Sequence, residues 1–344
     1  MIILKISLNS NIEDLKISLI LLERFYFSYL NLIFQRRKQM NNNAKAMVLA
    51  SFSADALSLG VHWIYNTNVI DKKWGRVEEY IKPERPTYHS TKDLGELTHY
   101  GDQTLVLLES IAGSSGFDLN HFANRWQQFF KSYEGYFDGA TRATLENFAA
   151  GKDPADAGSD SDDLAGAARI APLAFCYRID LNKMIAAVRA QTALTHNNRT
   201  IIETAEFFGR VVWQVLQGES PTAAIKQVLV EGFDREPYAN WVTDGLNSVE
   251  ANTRQAMLDF GQMCEIEAAF PCVVHLIARY EDNLTEGLIE NAMAGGDSAG
   301  RGLIVGMILG AHRGIDAIPQ KWLSELKSYQ EIVDLMDQID RKLD

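Results

Sequence analysis

The chain has 344 residues, of which 47% are hydrophobic and 23% charged, and its formal net charge is -12. This length and composition predict a globular protein with a sizeable core, and they exclude disordered and fibrous classes. The negative charge argues against a nucleic-acid partner, because contacts with backbone phosphates need clustered Lys and Arg.

Residues 1–40 differ in character from the rest of the chain, because they are rich in Ile, Leu, Phe, Asn and Lys and contain neither Gly nor Pro. Three interpretations are open: an amphipathic surface helix, an atypical targeting peptide, or an upstream extension before a native start at Met40. The charged pair Glu23 and Arg24 interrupts the apolar run and argues against a spanning helix, so no membrane partner is expected. We favour the extension.

From residue 41 onward the sequence predicts helix after helix. Asn43 is suited to cap a first run of strong helix formers, and Leu105, Leu108 and Ile111 share one face of a later helix. No stretch shows the sustained alternation of a strand, and neither a linker nor a fixed repeat divides the sequence. Residues 41–344 are therefore predicted to form a single all-α domain.

Two long polar loops interrupt the helical pattern. One spans residues 71–100 and contains His89 and His99, and the other spans residues 151–163 and is dense in Asp. Loops of this length in a small helical domain are usually functional. The three cysteines are an odd number in apolar surroundings and lack metal-ligand spacing, which predicts reduced thiols in a cytoplasmic protein.

Two acidic helix starts are candidates for cation binding. Gly101, Asp102 and Gln103 begin one apolar helix, and residues 295–302, with Gly296, Asp297, Ser298 and Arg301, begin another. An Asp at a helix start can bind a hard cation or simply cap the helix, and both interpretations stay open. The glycine-rich start is not a phosphate loop, because no strand precedes it and no Lys follows in the required place.

Two further segments carry candidate polar groups. Asp162 and Asp163 precede a run of small residues that ends at Arg169, a residue suited to pairing with a carboxylate or a phosphate. His196 precedes a long apolar helix, where capping or packing is the commoner role for a histidine.

In this order and spacing, these motifs resemble the ADP-ribosylglycohydrolase family, which includes the dinitrogenase reductase-activating glycohydrolases and the J1 crystallins. The resemblance covers roughly residues 44–325 and implies an all-α fold of one compact multi-helix domain. It also implies an ADP-ribose ligand, free or attached to a protein, and hydrolysis of its glycosidic bond with two Mg²⁺ or Mn²⁺ ions.

The family's site residues can be transferred only in part. The patterns Thr-Asp-Asp-Thr and Gly-Gly-Asp-Thr-Asp-Thr fall on residues 101–104 and 295–300, where one acid of each pair survives, and the family's glutamate falls on His62. The resemblance implies Asp102, Asp297 and Ser298 as metal ligands, with His62, Asp162 or Asp163 activating water. The remaining candidates are expected to bind the ligand: Gly101, Gln103, Arg169, His196, Gly296 and Arg301.

Charge counting predicts at most one ion in place of the family's two, unless Asp162 or Asp163 serves as a replacement ligand. Four aspartates balance the four charges of two divalent cations, whereas Asp102 and Asp297 supply only two negative charges. Two functions therefore remain open: a metal-assisted hydrolase of ADP-ribosyl or related nucleotide-sugar conjugates, and a catalytically degenerate protein that binds ADP-ribose or serves as a crystallin-like structural protein.

Overall fold

The computed structural model describes the backbone of residues 12–84 and 87–343. Residues 1–11 of the proposed N-terminal extension lie outside this range. Contacts divide the chain into residues 1–42 and a second compact unit, residues 43–344. The extension's boundary at residue 40 stays a prediction.

The described residues fold entirely as helices and connecting loops, with no strand among them, which confirms the predicted all-α class. The helices are α1 (Ile12–Ser58), α2 (Thr67–Trp74), α3 (His99–Gly113), α4 (Leu119–Phe130), α5 (Gly139–Ala149), α6 (Ala165–Ala168), α7 (Ala171–Cys176), α8 (Leu181–Thr195), α9 (Arg199–Leu216), α10 (Pro221–Val228), α11 (Tyr238–Asn247), α12 (Thr253–Phe260), α13 (Ile266–Arg279), α14 (Leu284–Met293), α15 (Ser298–Arg313), α16 (Gln320–Glu325) and α17 (Tyr329–Leu343). In the part of the chain that the structure describes, no helix has the length and apolarity to cross a membrane.

Short polar side chains determine where many of these helices begin. Asp118 accepts a hydrogen bond from the amide of His121 at 2.7 Å at the start of α4, and Asn198 accepts one from Thr200 at 2.9 Å at the start of α9. Such caps satisfy amides that have no partner within the helix.

A glycine stripe on α15 brings this helix close to α1. A Cβ on Gly306 would lie 2.4 Å from the carbonyl oxygen of Ala50, and one on Gly310 would lie 2.7 Å from the Cβ of the same alanine. Glycines at this four-residue spacing share one helical face, and the sequence predicts that another helix can pack closely against it. The contact places the first turn of α15 beside the end of α1, where the Ser58 hydroxyl donates to the Ser298 carbonyl at 3.1 Å.

Candidate active site

Two glycines shape the chain just before α15. Gly295 and Gly296 have φ of 64° and 59°, a region that favours glycine. A Cβ on Gly295 would lie 2.2 Å from the carbonyl oxygen of Ile64, and one on Gly296 would lie 2.1 Å from that of Gln262. No other residue fits this turn, which sets the position of Asp297.

Asp297 lies at the start of α15 as a buried carboxylic acid without hydrogen bonds. Neither oxygen has a hydrogen-bond partner among the described residues, and Oδ1 is 3.6 Å from Nε2 of His62. Burial raises the pKa of Asp297 to about 7, Arg301 opposes that rise, and the carboxylates of Asp163 and Asp138 add to it. This acid can therefore take up and release a proton near neutral pH.

Two neighbours of Asp297 were also predicted to take part in the site. The Arg301 guanidinium is buried and donates to the Asn291 side chain at 3.2 Å and to the carbonyl oxygen of Gly295, so it holds the turn before α15 in place. The hydroxyl of Ser298 is buried and has no hydrogen-bond partner among the described residues. Ser298 is thus free to take a ligand, whereas Arg301 is occupied.

The start of α3 is fixed by an acid that the sequence analysis did not single out. Asp55, buried near the end of α1, accepts hydrogen bonds from the Thr98 hydroxyl at 2.6 Å and from the Thr98 amide at 2.7 Å. Burial raises the pKa of Asp55 to about 7, against the effect of these two bonds. A Cβ on Gly101 would lie 2.2 Å from Oδ2 of Asp55, so the glycine lets α3 approach α1.

Asp102 faces a different environment from Asp297. Its Oδ2 accepts from Lys92 Nζ and from the Tyr133 hydroxyl, both at 2.6 Å, and it lines a cavity of about 200 Å³ with Lys92, Glu96 and Glu331. Burial raises the pKa of Asp102, and Lys92 opposes the rise. The described contacts of Asp102 and Asp297 have no partner in common. Their sharing of one ion therefore stays a prediction.

A buried polar network lies on another side of α3. The Gln103 side-chain oxygen accepts from Trp126 Nε1 at 2.8 Å and from Arg169, whose other terminal nitrogen donates to Thr195. The Thr195 hydroxyl is 3.0 Å from Nδ1 of His196. Burial lowers the pKa of Arg169 to about 10 and, with Arg169 nearby, that of His196 to about 3. Gln103 and Arg169 are therefore already engaged with each other.

Three buried histidines converge beside Asp297, and the sequence analysis named only one of them as a site residue. One ring nitrogen each of His62, His89 and His99 lies within 4.8 Å of the others. Burial, reinforced by the neighbouring imidazoles, lowers the pKa of His62 and of His89 well below the usual value. Residues 71–100 were predicted to be functional, but sequence alone gives no reason for the two histidines of that loop to meet His62.

Asp138 adds a further carboxylate to this region. It caps α5 through the Thr141 amide, at 2.6 Å, and its Oδ2 lies 3.3 Å from Nε2 of His99. Although burial opposes ionisation, contact with His99 holds the pKa of Asp138 below its usual value. In the sequence, Asp138 has the pattern of an ordinary helix cap, so nothing there marks it as a site residue.

The Asp-rich loop of residues 151–163 buries only one of the two candidate acids at its end. The loop is joined to the start of α13 because the Leu164 amide donates to Cys264 and the Ile266 amide donates to Asp162, at 2.9 and 3.0 Å. Asp163 is partly buried and Asp162 is exposed. Burial raises the pKa of Asp163, with Asp138 and Glu265 adding to the effect.

Aromatic rings extend from the histidines to the surface. Trp63 has a φ of 63°, uncommon for a bulky residue, and its ring stacks on His62 with centroids 4.4 Å apart. Tyr88 and Tyr136 pack edge-on against Trp63 at 5.3 and 5.2 Å, and Tyr88 is 60% exposed. These three rings form an aromatic mouth between solvent and the buried histidines.

Comparison with known proteins finds a family model, relatives of similar sequence and a solved structure of similar fold. A family model described as ADP-ribosylglycohydrolase matches residues 36–344. Crystallin J1A of Tripedalia cystophora is 23% identical over 320 residues, covering 89% of this chain and 98% of the relative. A protein of Archaeoglobus fulgidus is 26% identical over 304 residues, with 86% and 95% coverage. A solved ADP-ribosylglycohydrolase-related protein complex matches with a TM-score of 0.71 and 25% identity, over 89% of this chain and 99% of its own.

Proposed function

The chain belongs to the ADP-ribosylglycohydrolase family, and we propose that it hydrolyses the glycosidic bond of an ADP-ribosyl group or a related nucleotide-sugar conjugate. One observation carries the proposal. Asp297 is a fully buried acid without hydrogen bonds, its pKa is raised to about 7, and it lies next to His62 behind the aromatic mouth. Such a group is suited to general acid or base catalysis at neutral pH.

The residues present do not fit the two Mg²⁺ or Mn²⁺ ions that the family resemblance implies. The Asp102 carboxylate is neutralised by Lys92, and the Gln103 oxygen already accepts two hydrogen bonds. Around Asp297 the nearest unbonded ring nitrogen belongs to His62, and imidazole is a poor ligand for Mg²⁺. We therefore assign no catalytic step to a magnesium pair.

The proposed mechanism uses two acids of this chain. Glycoside hydrolases commonly place two carboxyl groups at the bond to be broken, one to protonate the leaving group and one to activate water or stabilise the sugar. We assign the proton-donating role to Asp297, and the second role to Asp163 or to the neutral His62. Asp162, which was the other sequence candidate for water activation, is exposed and less suited to it.

The aromatic mouth supplies a place for the base of the substrate. Trp63 and Tyr136 pack edge-on against each other and contact the rings of His62 and His99, and stacking on such rings is a common way to hold an adenine. Ser298 adds an unbonded hydroxyl at the start of α15. Ligand contacts by Gly101, Gln103, Arg169, His196, Gly296 and Arg301 remain predictions, and four of these side chains, those of Gln103, Arg169, His196 and Arg301, already bond to protein groups.

The test is turnover of defined conjugates. The tag-free chain is incubated with peptides ADP-ribosylated on arginine or on serine, and with free nucleotide sugars, and released ADP-ribose is measured by chromatography. We expect release from at least one substrate, and loss of that release in Asp297→Asn. Binding of ADP-ribose with no turnover of any conjugate would contradict the hydrolase and leave a binding protein.

The second candidate is a crystallin-like structural protein. Two relatives that each align over 98% of their length carry the names Crystallin J1A and Crystallin J1B. A structural protein has no need of a ligand, so calorimetric titration with ADP-ribose distinguishes the cases. The absence of both binding and turnover would support this candidate.

A further inference from the structure

We propose that His62, His89 and His99 form a binding site for one divalent transition-metal ion of the Zn²⁺ class. These residues come from three separate places in the chain: the loop after α1, the long polar loop before α3, and the first residue of α3. The proposal goes beyond the proposed function, since a metal can bind here whether or not the chain hydrolyses a conjugate.

The spacing of the three rings suits a common ion. Their centroids are 5.4, 5.4 and 6.2 Å apart. With Zn–N bonds of about 2.0–2.1 Å and tetrahedral angles, ring centroids should be about 5.2 Å apart and the ligating nitrogens about 3.4 Å apart. The observed nitrogens lie within 4.8 Å of one another, so binding a common ion requires them to approach one another further.

The hydrogen bonding of these rings is unusually incomplete. Both ring nitrogens of His89, Nδ1 of His99 and Nε2 of His62 are buried and have no hydrogen-bond partner among the described residues, whereas Nδ1 of His62 accepts from the Ala299 amide at 3.4 Å. Buried polar atoms in native proteins are nearly always satisfied, because leaving them unpaired costs free energy. Three neighbouring imidazoles that each leave a ring nitrogen unpaired point to a shared ligand, and a metal ion that accepts one lone pair from each ring fits that role.

A carboxylate lies where the second partner of a ligating histidine is usually found, because Asp138 Oδ2 is 3.3 Å from Nε2 of His99 and leaves Nδ1 of that ring for the metal. In His62 the nitrogen left for the metal is Nε2, since Nδ1 accepts from the Ala299 amide, and Asp297 Oδ1 lies 3.6 Å from this Nε2. A histidine that binds a metal through one nitrogen commonly donates the N–H of the other to a carboxylate, which fixes the ring. The lowered pKa values of His62 and His89 keep these rings neutral, the form that binds metals.

A buried histidine elsewhere provides a matched comparison. His275 in α13 is buried as well, but its Nδ1 is 2.7 Å from the Ser248 hydroxyl and its Nε2 is 3.2 Å from the Thr253 hydroxyl. His275 thus has both ring nitrogens satisfied by side chains. The histidine cluster does not follow that pattern.

The test measures metal binding directly. Tag-free chain is treated with chelator, dialysed against Zn²⁺ or Co²⁺ in the presence of a large excess of Mg²⁺, and analysed by elemental mass spectrometry. We expect one equivalent of Zn²⁺ in the wild type, at least a 100-fold weaker affinity in His89→Gln and His99→Gln, and unchanged binding in His275→Gln. Far-UV circular dichroism confirms that each variant is folded.

If His89→Gln and His99→Gln do not fold, spectroscopy of the wild-type chain still tests the proposal. Wild-type chain loaded with Co²⁺ is expected to show the visible absorption of a four- or five-coordinate site, with three imidazoles shifted by the paramagnetic ion in its NMR spectrum. No stoichiometric Zn²⁺ or Co²⁺ in the wild type would overturn the proposal, as would full binding by folded His89→Gln. Neither result depends on turnover of any conjugate.

Discussion

The starts of α3 and α15 look alike in sequence and differ in structure. Each places an aspartate next to glycine at the beginning of an apolar helix, Asp102 in one and Asp297 in the other. Asp102 is bonded to Lys92 and Tyr133, whereas Asp297 is fully buried and has no hydrogen bond among the described residues. The difference shows that neighbouring groups, more than position at a helix start, determine whether an acid is poised for proton transfer.

The same comparison extends to the backbone around each acid. Before α15, two glycines with positive φ face carbonyl oxygens of Ile64 and Gln262. In the first turn of α3, Gly101 has ordinary backbone geometry and faces the Asp55 side chain. A rigid turn therefore presents Asp297, while side-chain contacts position the start of α3.

The largest expected effect is a difference in catalytic activity between variants of Asp297 and of Asp102. Asp297→Asn keeps the shape of the side chain and removes its proton exchange, so we expect kcat for conjugate hydrolysis to fall by about 100-fold or more at pH 7. Asp102→Asn is the matched control and should change kcat by less than about tenfold, because its carboxylate is held by Lys92. Steady-state kinetics on both variants measure the difference.

Equal losses of kcat in Asp297→Asn and Asp102→Asn would contradict the different roles assigned to the two acids. That outcome would favour the ligand set implied by the family resemblance, in which Asp102 and Asp297 share an ion. Circular dichroism and thermal melts of both variants show whether either loss comes from unfolding.

The next largest effect is the loss of stability expected when Gly296 or Gly101 is replaced by alanine. Gly296→Ala places a methyl 2.1 Å from a carbonyl oxygen at a φ of 59°, and because backbone cannot easily yield, we expect a loss of about 3 kcal/mol or more. Gly101→Ala meets Oδ2 of Asp55, which must shift against its two hydrogen bonds from Thr98, and because a side-chain end yields more readily than backbone, about 1–2 kcal/mol is expected. Urea unfolding of both variants measures the ranking, and a larger loss in Gly101→Ala would contradict it.

Helical periodicity was enough to predict the fold. Apolar residues such as Leu105, Leu108 and Ile111 recur with the spacing of a buried helical face, and the four-residue glycine spacing on α15 predicted its close contact with another helix. These signals are local, so they can be read before any tertiary contact is known.

Sequence can indicate only those parts of the site that are marked by residues within one segment of the chain. The two consecutive glycines before Asp297 are such a local signal, because glycine is favoured where the backbone takes a positive φ. The partnership of Asp102 with Lys92 and Tyr133, and the meeting of His89 and His99 with His62, depend on how distant loops pack. No spacing rule within one segment encodes such contacts. Asp138 was missed for another reason, because a capping aspartate and a site aspartate look the same in sequence.

The smallest expected effect is the contribution of His275 to the pH dependence of the unfolding free energy. This contribution determines the pH at which the glycine variants should be compared. Burial, with Arg279 nearby, lowers the pKa of His275 to about 4 from 6.5. Between these values the unfolded chain binds a proton that the folded chain does not, so this residue makes stability fall as pH falls through that window. In His275→Gln the loss of unfolding free energy between pH 7 and pH 5 should be smaller by about 1–2 kcal/mol. The glycine variants are therefore best compared above pH 7, where His275 is neutral in both states, and an unchanged slope in His275→Gln would show that its protonation is not coupled to folding.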